Sequence, residues 1–266
     1  MLRLARKTIM PETTLITFPP SLDSELSRFL LSHYRIAHRE QRHVIIFSSF
    51  YSLWHGYTVR FPFLYSDAYR LNTVRRIADH FESLCPAERK LLPSAAASDD
   101  AETANADWTL FNSRLGTATS VFGYYHLLPS REIMIQPLSG GAPQFEVNAV
   151  RRAYPVFAGL LRLLLRLSAS RAEEALAEIR AVMQIVDERL ADGRRYLLGE
   201  RFSLSDMTFA VAAAPVVFPD SYGGGDTLPP LSETSAKLQA VVKEMQARPS
   251  GQLALRLYRE HRTPGI

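Results

Sequence analysis

Residues 195–209 read RYLLGERFSLSDMTF, and the second half of this stretch has the pattern of a helix start. The Ser203 hydroxyl is placed to accept a hydrogen bond from the backbone N–H of Asp206, whose carboxylate can reach back to the N–H of Ser203. Two backbone donors that a helix start leaves unpaired are then satisfied, and the acid lies at the positive end of the helix dipole. We therefore expect Ser203 and Asp206 to be a structural N-cap.

Beyond residue 108, apolar side chains recur at helical spacing. The clearest stripe lies within residues 171–191, where the pattern favours burial of Leu176, Ile179, Val182, Met183, Val186 and Leu190. The predicted helices are 108–127, 147–167 with a bend at Pro155, 171–191, 203–217, 232–247 and a short one ending near residue 261. Prolines and glycines predict a loop over 128–146, and the aperiodic segment 94–107 predicts a linker.

The first half of the chain mixes short apolar runs with helical periodicity. Strands are predicted at 15–18, 44–47, 61–65 and 69–71, and helices at 21–35 and 73–82. The element order is βαβ followed by ββα.

Composition excludes several classes of protein. The chain has 266 residues, 47% hydrophobic and 22% charged, which excludes a disordered chain. The net charge of +4 is spread along the sequence in pairs such as Arg75 and Arg76, so nucleic-acid binding is not expected. A single cysteine, Cys85, excludes a disulfide framework or thiolate metal site within the chain.

The longest apolar stretch, residues 154–167, is interrupted by Arg162 and Arg166. It is shorter than the ~20 residues that span a bilayer, so no membrane span is expected and the stretch is predicted to be a buried helix. The basic N-terminus has too short an apolar run for a secretory signal, which favours a cytoplasmic protein.

The stretch YLLGERFSLSDMTFA resembles the C-terminal-domain signature of the glutathione transferase-like superfamily: Y-L-x-G, a short spacer, then S/T-x-x-D opening a buried helix. The order of elements in the first half is similar to the thioredoxin-like domain of that family. The resemblance implies an α/β thioredoxin-like N-terminal domain over residues 12–84, a linker over 85–106 and an all-α helical domain over 107–262. It also implies a cis bond before Pro62, where the main chain of Phe61 and Pro62 would bind glutathione.

In this family a hydroxyl or thiol at the start of the first helix stabilises the glutathione sulfur, and the thiolate is the nucleophile. By this resemblance Ser21 is the expected catalytic hydroxyl, with Ser24 as the fallback. The other interpretation of Ser21 is a simple N-cap. A cysteine-type mechanism is disfavoured because no cysteine lies there.

The family's Glu/Gln-Ser pair at the start of the third helix, which grips the γ-glutamyl group, is replaced here. Thr73 and Val74 occupy those positions, preceded by Asn72. The backbone N–H of Val74 and the side chains of Asn72 and Thr73 could still bind an anion at a helix start, or these residues are only a cap. His43, His55 and Arg60 lie where a glycyl-carboxylate partner could come from, although a surface role is favoured for each.

An apolar electrophile would bind against the helical domain, and Trp108, Tyr124 and Tyr125 are the expected lining of its pocket. The loop over 219–230, with three consecutive glycines, could cover the site, but its composition favours a mobile loop.

Two functions remain open. One is a glutathione S-transferase-like enzyme that uses glutathione, without a metal, to add to, isomerise or cleave a small electrophile. The other is a non-catalytic ligand-binding or protein-interaction module of the same family, which the Thr73-Val74 replacement favours. The resemblance also implies a homodimer.

Overall fold

The computed structural model describes residues 13–56, 58–93 and 98–262. Its N-terminal part is a four-stranded sheet of order β2-β1-β3-β4, in which β1 and β2 are parallel and the other neighbours antiparallel. The strands are β1 (Thr14–Thr17), β2 (Arg39–Arg42), β3 (Phe63–Tyr65) and β4 (Arg70–Leu71). Helices α1 (Leu22–Tyr34), α2 (Ile45–Gly56) and α3 (Val74–Leu84) complete this part, which confirms the predicted fold class.

The strand predicted at 44–47 is wrong. The strand in this region is the polar β2, and residues 45–47 begin α2 instead. An apolar run does not identify β2 because its side chains are charged and internally paired: Glu40 accepts hydrogen bonds from Thr17 and Arg28. A short apolar run cannot by itself be distinguished from the first turn of a helix.

All later elements are helical. They are α4 (Ser98–Asp107), a π-helical turn (Trp108–Leu115), α5 (Gly116–Leu127), α6 (Arg131–Ser139), α7 (Gln144–Arg152), α8 (Tyr154–Leu165), α9 (Ala169–Leu190), α10 (Leu204–Val217), α11 (Ala236–Ala247) and α12 (Pro249–His261). Helix α10 is at the centre, packed against α1, α5, α11 and α12, and its apolar side chains are buried.

In the linker predicted over 94–107, residues 94–97 lie outside the described residues. The rest of it is helical, since α4 runs without a break into the π-helical turn. The polar composition of α4 hid it because a helix on the surface needs no apolar stripe over its whole length. The domain boundaries themselves stay a prediction.

The loop predicted over 128–146 is also wrong, because α6 and the start of α7 lie there. Pro137 is accommodated inside α6, close to its C-terminal end, and the helical run 147–167 is divided at Ala153, with Pro155 in the first turn of α8. Helix α8 is also not fully buried as predicted, since Leu163 is 74% exposed.

No helix among the described residues is both long and apolar enough to cross a membrane. Within the same residues, no three side chains of His, Cys, Asp or Glu are grouped so that they could hold a metal ion.

Candidate functional site

The register of the sheet brings three helix or strand starts to one edge. Ile16 near the end of β1 pairs with Phe63 at the start of β3, and Leu64 pairs with Leu71 at the end of β4. The turn before α1, the residues that precede β3 and the start of α3 therefore meet at the same edge. Three predicted groups share this edge: Ser21, the Phe61-Pro62 pair, and the segment Asn72, Thr73 and Val74.

Ser21 is the N-cap of α1. Its Oγ accepts a hydrogen bond of 3.4 Å from the backbone N–H of Ser24, and the side chain is partly exposed. A hydroxyl has one donor and two acceptor lone pairs, so this bond leaves the Ser21 O–H free to donate to a ligand. Ser24, in contrast, is fully buried and its Oγ accepts from the N–H of Phe18 at 3.2 Å, which gives Ser24 a structural role.

The peptide bond between Phe61 and Pro62 is cis, as the resemblance implies. Pro62 is buried, and the ring of Phe61 meets the ring of Phe18 edge-on at 6.0 Å. Because Phe18 follows β1 directly, this contact places the cis bond beside the turn that leads to Ser21. The main chain of Phe61 lies outside the sheet pairs.

The start of α3 is capped by Thr73, whose Oγ1 accepts from the N–H of Arg76 at 3.2 Å. Val74 is 3% exposed and belongs to the core. Arg76 also folds back over the helix start, donating through Nη1 to Asn72 Oδ1 at 3.2 Å. A guanidinium therefore lies beside the first N–H groups of the helix, a combination that favours an anion. From the sequence alone, Arg76 is only one member of a basic pair with Arg75.

A small apolar cavity of about 40 Å³ lies between the two parts of the fold, and Pro20, the neighbour of Ser21, forms part of its wall. Tyr124 also lines it, and burial raises the pKa of the Tyr124 hydroxyl. Neither Trp108 nor Tyr125 lines this cavity. Trp108 lies under Arg75 at 5.9 Å, and it is about 24 Å along the helix from Tyr124, so the predicted pocket residues are not brought together.

The loop over 219–230 is held in place over the α1 start. The Tyr222 hydroxyl donates to the Pro20 carbonyl at 3.0 Å, and the Gly223 N–H donates to Glu25 at 3.0 Å. Arg42 donates to both carboxylate oxygens of Asp226, at 3.0 and 3.1 Å. These contacts contradict the mobile loop that its glycines favoured, and they make Tyr222 a wall of the cavity that no periodicity could have identified.

Beneath the site, buried charges alternate in sign. Arg262 and Arg28 both bind Glu25, and Arg28 and Arg42 both bind Glu40. Burial alone would raise the pKa of Glu40, but Arg28 and Arg42 hold that pKa at about 2. The network joins the C-terminal end, α1, β2 and the 219–230 loop, so it fixes the two parts of the fold around the cavity.

His43 is buried rather than on the surface. Its Nδ1 lies 2.7 Å from a carboxylate oxygen of Glu146, its ring stacks on Tyr51 at 3.9 Å, and Nε2 has no hydrogen-bond partner among the described residues. His55 stacks on Tyr65 at 4.9 Å, whereas Arg60 is exposed. His43 therefore joins α2 to α7, and neither His55 nor Arg60 is drawn into the cavity.

The N-cap predicted at α10 is present in full. Asp206 accepts from the N–H of Ser203 at 3.0 Å and from the N–H of Leu197 at 2.8 Å. Leu197 belongs to the Y-L-x-G half of the quoted stretch, so the carboxylate joins the two halves of that signature. Both residues are structural, as expected.

Residues 169–243 match the family model of the glutathione S-transferase C-terminal domain. No curated protein sequence matches the chain.

Many solved structures share the fold, and three of them illustrate the similarity. Glutathione S-transferase I bound with the ligand lactoylglutathione is 14% identical, with a TM-score of 0.54 over 93% of this chain and 100% of its own. A glutathione S-transferase from Rhodospirillum rubrum F11 is 17% identical, with a TM-score of 0.56 over 91% of each chain. The beta-etherase LigF from Sphingobium sp. strain SYK-6 is 14% identical, with a TM-score of 0.56 over 92% of this chain and 98% of its own. At these identities the similarity shows the fold alone.

Proposed function

We propose that the chain is a glutathione-dependent enzyme, because residues 169–243 match the glutathione S-transferase C-terminal domain and solved glutathione S-transferases share its fold. In this proposal the protein lowers the thiol pKa of glutathione, and the thiolate adds to a small apolar electrophile, or isomerises or cleaves it. The observation that carries the proposal is the meeting of Ser21, the cis Phe61-Pro62 bond and the α3 start at one edge of the sheet.

Ser21 supplies the donor that this chemistry needs. Its lone pair is used by the Ser24 N–H, so the remaining O–H can donate to the glutathione sulfur. A hydrogen bond to the charged form of a group favours that form, which lowers the thiol pKa. The main chain of Phe61, which lies outside the sheet pairs next to the cis bond, would bind the peptide of glutathione and hold the thiol over Ser21.

Two carboxylates lie close to this hydroxyl at the start of α1. Asp23 and Glu25 both lie in the first turn of α1, where a carboxylate opposes a thiolate at the helix start. Glu25 is offset by its pairs with Arg28 and Arg262, and burial raises the pKa of Asp23. The opposition of these carboxylates to a thiolate is therefore reduced, and the α1 dipole would act on the sulfur together with the Ser21 hydroxyl.

Arg76 would replace the missing γ-glutamyl grip. The family's acid and serine are absent at Thr73 and Val74, but the Arg76 guanidinium and the first N–H groups of α3 form a positive end there. This end suits the α-carboxylate of the γ-glutamyl residue. The apolar cavity beside Pro20, walled by Tyr124 and Tyr222, marks the side of the site at which the electrophile would bind.

Calorimetric titration with glutathione tests the proposal on the wild type and on Ser21→Ala. Ser168→Ala is the matched control, because Ser168 caps α9 in the same way, accepting from the Arg171 N–H at 3.2 Å. We expect binding by the wild type and Ser168→Ala, and weaker binding by Ser21→Ala. Absence of binding by the wild type would end the proposal.

The second candidate is a non-catalytic ligand-binding or protein-interaction module. The burial of Val74 at the position of the family's serine favours it, since no hydroxyl is available there. This alternative predicts that apolar ligands bind in the cavity with the same affinity whether or not glutathione is present. A homodimer stays a prediction from the resemblance, and a cytoplasmic location stays a prediction from the composition and the N-terminal sequence.

A further inference from the structure

Helix α8 is apolar around its whole circumference, yet only one side of it is covered. Tyr154, Phe157 and Leu161 face the core. On the opposite side Val156 is 66% exposed, Leu163 74% and Leu164 58%. A helix with apolar residues on all sides is normally buried on all sides, so the outward face of α8 lacks a partner.

The charges along the sequence of α8 and its flanks all have one sign. Residues 147–172 contain five arginines and no aspartate or glutamate. Arg151 and Arg152 precede α8, Arg162 lies within it and Arg166 follows it, and all four are exposed. None of the four forms a salt bridge with another described residue. We call these four arginines together with Val156, Leu163 and Leu164 the α8 surface.

We propose that the α8 surface binds an anionic lipid bilayer, with α8 lying flat in the interface. A 12-residue helix is about 18 Å long, far short of a span but sufficient to lie along the headgroups. Val156 and Leu163 would enter the boundary with the acyl chains. The arginines at both ends would extend towards the lipid phosphates. The proposal does not depend on glutathione chemistry.

Charge favours lipid over a second copy of the chain. Two copies meeting through the α8 surface would bring two sets of unpaired arginines together, and like charges oppose such a contact. The exposed face of α2 provides a contrast, because Ile46, Phe50, Leu53 and Trp54 are all about half exposed or more, but α2 contains no Asp, Glu, Lys or Arg. Both helices therefore expose an apolar face, and the arginines distinguish α8 from α2.

Co-sedimentation with vesicles tests the proposal, using the full chain without glutathione. The vesicles are phosphatidylcholine alone, or phosphatidylcholine with phosphatidylserine. We expect binding to the anionic vesicles only, with an affinity that falls as salt rises. Arg152→Gln with Arg162→Gln should weaken it by on the order of 30-fold. Leu163→Glu should abolish binding, and Phe50→Ser on α2 should leave it unchanged.

Circular dichroism and sedimentation velocity on the same samples separate the outcomes. Arg152 and Arg162 are exposed, so that double variant should keep the native fold even if Leu163→Glu does not. Equal binding to both vesicle types, no binding to either, or binding that survives the double arginine replacement would overturn the proposal. It would also be overturned if the wild type were a dimer that Leu163→Glu converts to monomer, since a second copy would then cover the face.

Discussion

The starts of α10 and α1 are built on the same bond but differ in what remains free. In each, a serine Oγ accepts from the N–H three residues on, at 3.5 Å for Ser203 and 3.4 Å for Ser21. The Ser203 hydroxyl also donates to Asp206 at 2.5 Å, in a buried setting. Residue 24 is a serine instead of an acid, so none of the described side chains accepts from the Ser21 hydroxyl. One helix start is committed to folding, and the other keeps a donor for a ligand.

The largest expected effect comes from Asp206→Ala. The variant removes the acceptor for two buried N–H groups, those of Leu197 and Ser203. Because each unsatisfied buried donor costs about 1–3 kcal/mol, we expect the free energy of unfolding to fall by about 4 kcal/mol. Urea denaturation measures this loss. A loss below about 1 kcal/mol would show that Asp206 does not satisfy both of these buried N–H groups at the α10 start.

The same carboxylate should make stability depend on pH. Burial raises the pKa of Asp206 from 3.8 to about 6 in the folded protein, against the hydrogen bonds it accepts. The folded state therefore binds this proton more tightly than the unfolded state. Stability should fall, by on the order of 3 kcal/mol, as pH rises from about 4 to about 6, and then level off.

Asp206→Asn cannot titrate and provides the control for this prediction. The difference in unfolding free energy between wild type and Asp206→Asn, measured at pH values across that window, isolates the one group. A difference that stays constant with pH would contradict the assignment.

Removing each serine should separate the two helix starts. Ser203→Ala should lower the free energy of unfolding by about 2 kcal/mol, because its hydroxyl is buried and makes two bonds. Ser21→Ala should cost about 1 kcal/mol or less, since its cap is partly exposed. Thermal unfolding of the two variants side by side checks the order. Equal losses of unfolding free energy in the two variants would contradict the difference between the two helix starts.

The smallest effect concerns the start of α3. Arg76→Gln should weaken glutathione binding several-fold while stability stays within about 0.5 kcal/mol, because the guanidinium is exposed and, among the described residues, its one hydrogen bond is to Asn72 at 3.2 Å. Arg75→Gln is the matched control: Arg75 pairs with Asp79 and lies over Trp108, away from the helix start. Calorimetry with glutathione distinguishes them, and equal affinities for the two variants would exclude Arg76 from the grip.

Local patterns were sufficient for much of the fold. The caps at Ser203, Ser21 and Thr73 could be read from the sequence because each depends on residues within one helical turn. The stripe on α9, the strands β1, β3 and β4, and the helices α1 and α3 follow from the sequence pattern.

Several of the errors share one cause, which is pairing between residues far apart in the sequence. β2 is a strand because Arg28 and Thr17 satisfy Glu40, and α7 starts where Glu146 binds His43, more than a hundred positions away. The 219–230 loop is held by Glu25 and Arg42 in the same way. None of these partners repeats at a fixed spacing, so no pattern reveals them. The contact between Arg76 and Asn72 is local instead. The two residues are four positions apart at a helix start, a spacing that could have indicated the contact from the sequence.

The thiol pKa of bound glutathione is the most direct test of the proposal that the Ser21 hydroxyl activates glutathione. It is measured by the ultraviolet absorbance of the thiolate as pH is varied, with saturating glutathione, on the wild type and Ser21→Ala. We expect a thiol pKa at least about one unit below the ~8.5 of an ordinary cysteine thiol for the wild type, and a return towards that value for Ser21→Ala. An unshifted pKa in the wild type, or the same shift in both proteins, would contradict it.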